Sequence, residues 1–181
     1  MIYAERKFTL KNGRTVTLKT PEEKDAAEML TLIKALCRYS PYLLSSPEDF
    51  GNDPEKERAF ISSVRAGGNC FIAVYAEGQA IGDCNIDFFT HIKDRHRCSV
   101  GIALLPEFRG MGIGSLLFDE MIRLAREHKG TEQIELGVIS ENTAAIRLYE
   151  SKGFEKTGVI PRAIRDQDGT FHDEIIMVKI L

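Results

Sequence analysis

Arg109-Gly110-Met111-Gly112-Ile113-Gly114 sets three glycines within five residues, after an apolar run and before an amphipathic one. Glycine enters backbone conformations that other residues avoid and leaves neighbouring N–H groups unobstructed. At the start of a helix such groups carry the positive end of the helix dipole and suit a phosphate or pyrophosphate. Arg109 adds a full charge able to make charge-assisted hydrogen bonds. The same glycines would also serve a bare strand-to-helix turn. A Walker A loop is excluded, because no lysine lies between Glu107 and Arg126. A dinucleotide fingerprint fails narrowly: where a third glycine or alanine is expected the chain has Ser115 or Leu117. Glu135 stands about where a ribose-binding acid would fall, which leaves dinucleotide binding as an alternative. The hairpins that precede the motif count against it, since a parallel βαβ unit should begin there.

Capping and periodicity predict the elements that position this turn. Phe8–Leu10 and Thr15–Leu18 flank Asn12-Gly13, an opening hairpin. Thr20 as N-cap, Pro21 at the first helical position and a capping-box glutamate start a helix to about Cys37, with the stripe Met29, Leu32, Ile33 and Leu36. Residues 38–52, with Tyr39, Pro41, Tyr42, Pro47 and Phe50, read as a structured loop or short helical turns. Asp53 caps a second helix that ends before Gly67-Gly68. Cys70–Tyr75 and Ala80–Phe89 form a hairpin, and Arg97–Leu104 a strand covered on both faces. After the glycine turn comes a helix to His128 with Leu116, Leu117, Met121, Ile122 and Ala125 inside. Then follow a strand through Ile134, Leu136 and Val138, a helix from the cap Asn142 to about Lys152, and strands 156–165 and 170–180.

The 181 residues fit one domain, with 43% hydrophobic and 28% charged residues. A net charge of −3 and a pI near 5.9 lack the basic footprint of a nucleic-acid binder. Neither a signal-peptide stretch nor a 20-residue apolar run is present, so a soluble cytoplasmic protein, without nucleic acid or membrane as a partner, is the expectation. Cys37, Cys70, Cys84 and Cys98 lack zinc-ligand spacing, so reduced core thiols and no metal are expected.

Arg109, Gly112 and Gly114 resemble the Arg/Gln-x-x-Gly-x-Gly/Ala signature of the GNAT superfamily of N-acetyltransferases. A second segment, Asn142 to Phe154, is similar to that family's asparagine, Ala-Ile-x-Leu-Tyr and Gly-Phe block, and the resemblance covers about Asn69 to Leu181. It implies the GNAT acyl-CoA N-acyltransferase fold: mixed α/β, with a strongly twisted, mostly antiparallel sheet, a splayed parallel pair and helices on both faces. Acetyl-CoA as co-substrate would lie between the splayed strands, Arg97–Leu104 and Gln133–Ile139. The resemblance implies further that backbone groups of Arg109, Gly110, Met111, Gly112, Ile113, Gly114 and Ser115 hold the pyrophosphate and that Asn142, otherwise a helix cap, reaches the pantetheine arm. Backbone N–H groups of Ile102, Ala103 and Leu104 would face the oxyanion, and Tyr149, otherwise a packing ring, would protonate the leaving thiolate.

An amine must be neutral when it attacks, and here the chain departs from the family. Many members carry a glutamate where this one has Ser99. Glu135, His96 and Asp83 are the candidate bases, each of which would also serve as an ion pair or solvated charge, and a water chain is an equal alternative. No cysteine stands beside a triad, which favours direct transfer over a covalent route. Tyr39, Tyr42 and Phe50 would lie over the acceptor side. A small-molecule amine is the first expectation for the acceptor and a protein N-terminus the second, through resemblance to the ribosomal-protein N-terminal acetyltransferases in His96 and the Asp168-Gly169 to Asp173 hairpin. The resemblance leaves a homodimer open. A non-catalytic acyl-CoA sensor or interaction module is the alternative from another class.

Overall fold

The computed structural model describes residues 1–181. Eight strands lie in hydrogen-bonded order β1(Arg6–Thr9), β2(Thr15–Lys19), β3(Cys70–Ala76), β4(Gln79–Phe88), β5(Arg97–Leu104), β6(Gln133–Ile139), β8(Phe171–Ile180) and β7(Glu155–Arg165). Four helices accompany them: α1(Ala26–Tyr39), α2(Pro54–Ala66), α3(Ile113–Glu127) and α4(Thr143–Ser151). β5 and β6 form the parallel pair of an otherwise antiparallel sheet. Their ladder is three residues long, from Arg97↔Gln133 to Ser99↔Glu135. By Cα proximity the chain forms two compact units, Met1–Asp87 with Gly101–Leu117, and Phe88–Val100 with Phe118–Leu181.

In the first unit the Asn12-Gly13 turn closes the β1–β2 hairpin, with Gly13 at φ 82° and the Arg14 N–H bonded to Asn12 Oδ1 at 3.0 Å. Met29, Leu32 and Leu36 of α1 and Ile61 of α2 pack with Ala73 and Tyr75 of β3, and Ala103 and Leu105 lie against the same cluster. The start of α1 differs from the sequence expectation. Thr20 is buried and accepts the Tyr3 N–H at 2.9 Å, so it is engaged in joining two distant backbone segments. Glu22 and Asp25 form the capping box of a short 3-10 turn at Glu23–Asp25, and α1 begins only at Ala26. Asp53 does cap α2, accepting the Glu55 N–H at 3.0 Å. α1 runs two residues past the expected end at Cys37, to Tyr39, and residues 40–52 form a loop with one 3-10 turn, Pro47–Asp49.

In the second unit β6 pairs with β8 and β8 with β7. Its core contains Ile134, Leu136 and Met177 together with Phe118, Tyr149 and Phe154. The Phe118 ring lies 4.9 Å from Tyr149 and 5.7 Å from Phe154. Phe118 was absent from the expected buried stripe of α3, whereas Leu116 is only half-buried. α4 ends at Ser151 with Lys152 as its C-cap, and Gly153 follows at φ 82°, a left-handed stop. Burial of β5 is one-sided, contrary to expectation: Cys98 and Val100 are buried while the remaining residues of the strand are half-buried. All four cysteines are buried and unpaired by disulfides.

Candidate active site

The glycine turn follows a short 3-10 turn at Pro106–Phe108 and feeds α3. Gly110 and Gly112 take φ of 74° and 85°, and no atom lies within 4 Å of where a Cβ would stand on either. Backbone conformation, not crowding, therefore demands glycine, and the space over the loop is open. The Leu116 N–H closes the first turn of α3 on Gly112 O at 3.1 Å, so the N–H groups of Ile113, Gly114 and Ser115 have no acceptor inside the helix. Arg109 folds back so that its Nε donates to Leu104 O at 3.0 Å. Ile102, Ala103 and Leu104 are half-buried on the last part of β5, and the strand is pinned at its end by Leu105 N–H to Ile81 O, 3.0 Å. The expected phosphate loop and the expected oxyanion donors are thus tied together through one arginine.

The other candidates lie in the second unit. Asn142 caps α4, its Oδ1 accepting the Ala145 N–H at 3.2 Å, which leaves the Nδ2 group as a donor. Tyr149, two turns along the same helix, is 8% exposed, and burial pushes its phenol up to about 12. It holds its proton throughout the neutral range. Glu135 is engaged: its Oε2 meets Arg97 Nη1 at 3.3 Å across the parallel ladder. His96 is half-buried at the entry to β5, and its carbonyl accepts the N–H groups of Glu132 and Gln133 at 2.7 and 3.1 Å. Tyr39 and Tyr42 are exposed, and Phe50 is half-buried in the α1–α2 connection.

A cluster absent from the sequence expectations joins His172 of β8 to Asp166 in the β7–β8 turn at 2.9 Å and to Glu141, beside Asn142, at 3.3 Å. The carboxylates of Asp166 and then Glu141 raise the imidazole pKa. These residues are 6 and 31 positions from His172, so no local pattern could have joined all three. Of the candidate bases, Asp83 is the buried one, 8% exposed.

Residues 32–154 match the Acetyltransferase (GNAT) family, and the chain belongs to that family. Among curated relatives, the thialysine N-epsilon-acetyltransferase of Bos taurus is 28% identical over 149 residues, 76% of this chain and 83% of that one. The chain spans 30%, 43% and 64% of the length of three other curated relatives that it matches. Among solved structures, a GNAT-family acetyltransferase from Streptococcus pneumoniae superposes with a TM-score of 0.85 at 23% identity, over 92% of this chain and 99% of that one. A GNAT phosphinothricin acetyltransferase from Sinorhizobium meliloti in complex with acetyl-CoA gives a TM-score of 0.77 at 21% identity, over 92% and 88%.

Proposed function

We propose that residues 1–181 form one N-acetyltransferase domain that moves an acetyl group from acetyl-CoA directly to a primary amine, a small molecule first and a protein N-terminus second. The observation that carries this reading is the open loop at the start of α3. Gly110 and Gly112 hold a left-handed backbone there, and the first N–H groups of the helix have no intrahelical acceptor. Family membership supports it, as does the activity for which the bovine relative is named, an amine acetylation. The four buried, unpaired cysteines support a reducing, cytoplasmic setting. No helix is long and apolar enough to cross a membrane.

When bound, acetyl-CoA supplies an activated thioester. Arg109 to Ser115 hold its pyrophosphate through backbone N–H groups, with the Arg109 guanidinium alongside. Asn142 contributes its Nδ2 donor to the pantetheine arm while its Oδ1 stays on the helix. The N–H groups of Ile102 to Leu104 stabilise the oxyanion as the amine attacks. Tyr149 gives a proton to the departing sulfur, for which a phenol held protonated through neutral pH is suited. Glu135, paired with Arg97, is better placed to order the ladder than to accept a proton, and His96 stays a candidate base.

The test is release of CoA thiol across a panel of primary amines, run beside calorimetric titration with acetyl-CoA. Release above the hydrolytic background with at least one amine is expected. Tight binding of acetyl-CoA with no release on any amine or N-terminal peptide would replace this reading with that of an acyl-CoA sensor.

A further inference from the structure

We propose that Asp83 is the acceptor-side carboxylate of this domain, binding the ammonium group of the incoming amine and taking its proton. The inference rests on the acetyltransferase reading and supplies the group that the chain lacks at Ser99. Asp83 stands on β4 in register with Ala73 of β3, a member of the core cluster formed by α1, α2 and β3. Its Oδ2 is buried and has no hydrogen-bond partner. A buried, unpartnered carboxylate oxygen is costly and calls for a compensating donor.

The groups around it sharpen the case. From α2, Glu57 acts on Asp83, and it is a second carboxylate. From α1, Cys37 feels Asp83 and also Asp49 of the short 3-10 turn before α2. Burial is the main cause that pushes Asp83 up to about 7, with Glu57 adding in the same direction. Burial also raises Glu57. The charges acting here are thus all acidic, and a cation brought by the ligand would relieve them. An ammonium group offers both the charge and the N–H donors that Oδ2 lacks.

Position fits the chemistry as well. Ala103, one of the three expected oxyanion donors, packs against the same core cluster as Ala73, the register partner of Asp83. β4 and β5 approach so closely there that a Cβ on Gly82 would collide with the Ala103 carbonyl. Asp83 as a residue is 8% exposed, and its Oδ2 lies beneath that surface. In the step, one ammonium proton passes to the Asp83 carboxylate and the freed lone pair attacks the thioester carbon. The carbon–sulfur bond breaks, the thiolate takes a proton from Tyr149, and the second proton lost as the amide forms restores the tyrosine through solvent. Asp83 then releases its proton to water.

Two measurements decide it, one without acetyl-CoA. Carbon-13 carboxylate NMR, with the Asp83 signal assigned by its loss in Asp83→Asn, is titrated with pH in the presence and absence of n-butylammonium chloride. The midpoint is expected to fall by about one unit or more when the cation is present, and Glu57→Gln should lower it in the cation-free protein. In activity, Asp83→Asn should cut kcat/KM for the best amine of the panel about 100-fold at pH 7. The gap should narrow towards pH 10, where the amine is already neutral, and acetyl-CoA affinity should be unchanged. A carboxyl signal that ignores n-butylammonium, or a loss of rate that is the same at every pH, overturns the assignment. Should no amine be acetylated by the wild type, the proposed function fails while the NMR titration still decides whether Asp83 binds an ammonium group.

Discussion

Tyr149 packs against Phe118 and Phe154, and it carries a phenol that burial keeps protonated. Packing and proton donation are separable, because phenylalanine keeps the ring and removes only the hydroxyl. Tyr149→Phe should therefore lower turnover about 10- to 100-fold and leave both acetyl-CoA affinity and thermal stability nearly unchanged. Steady-state kinetics beside calorimetry checks this, and an unaltered kcat would reduce Tyr149 to its packing role. Asp83 makes the complementary prediction about stability. Its folded-state pKa is raised, so folding binds the proton more tightly than the unfolded chain does. The stability this brings is complete below about pH 4 and is lost as pH rises through about 7. Asp83→Asn should thus be close to neutral at low pH and more stable than the wild type above pH 7, by on the order of a few kcal/mol. Urea denaturation between pH 4 and 8 reads the crossover, and a variant less stable at pH 8 would contradict the account.

Among the elements, the turn into α3 is where backbone geometry bears most directly on ligand binding. Alanine at Gly112 would meet no neighbour, but φ of 85° costs a side chain about 1–2 kcal/mol. Relief of that strain would rotate the N–H groups of the loop. Gly112→Ala should lose about tenfold or more in acetyl-CoA affinity while keeping the fold, as calorimetry and circular dichroism would record. The β7–β8 hairpin responds to pH through His172, whose raised pKa reflects Asp166 and Glu141. That contribution is fully present below the ordinary histidine value of about 6.5 and disappears as pH rises through the elevated one. Hydrogen exchange at the hairpin should differ between wild type and His172→Gln on the acid side only. Element types were legible in the sequence wherever a local signal governs, as at the Asn12-Gly13 turn, the Asp53 cap and the Gly153 stop. The sequence misled where a distant partner decided the outcome. Thr20 has the composition of an N-cap, yet the Tyr3 N–H claims its hydroxyl, and Phe118 turns inward because Tyr149 and Phe154 meet it there. The same distinction separates the site residues: the loop and Asn142 follow from local spacing, while the Glu135–Arg97 pair and the isolation of Asp83 depend on strand register.

For the molecule as a whole, the puzzle is that a chain of net charge −3 is read as binding a ligand rich in phosphate. A protein that captured CoA through a broad basic surface would lose affinity steeply with salt, because exposed charges are screened within about 10 Å at 0.1 M ionic strength. Here the proposed contacts are backbone N–H groups at a helix start and one arginine whose Nε is already held by Leu104 O. Such contacts act over hydrogen-bond distances, inside the screening length, and do not depend on long-range attraction. Raising sodium chloride from about 50 to 500 mM should consequently weaken acetyl-CoA binding by no more than about threefold. The same titration on Arg109→Gln should show lower affinity throughout and a slope flatter still. An order-of-magnitude loss in the wild type across that range would mean that a diffuse cationic surface holds the phosphates, and the glycine turn would then be a strand-to-helix connection with no part in binding.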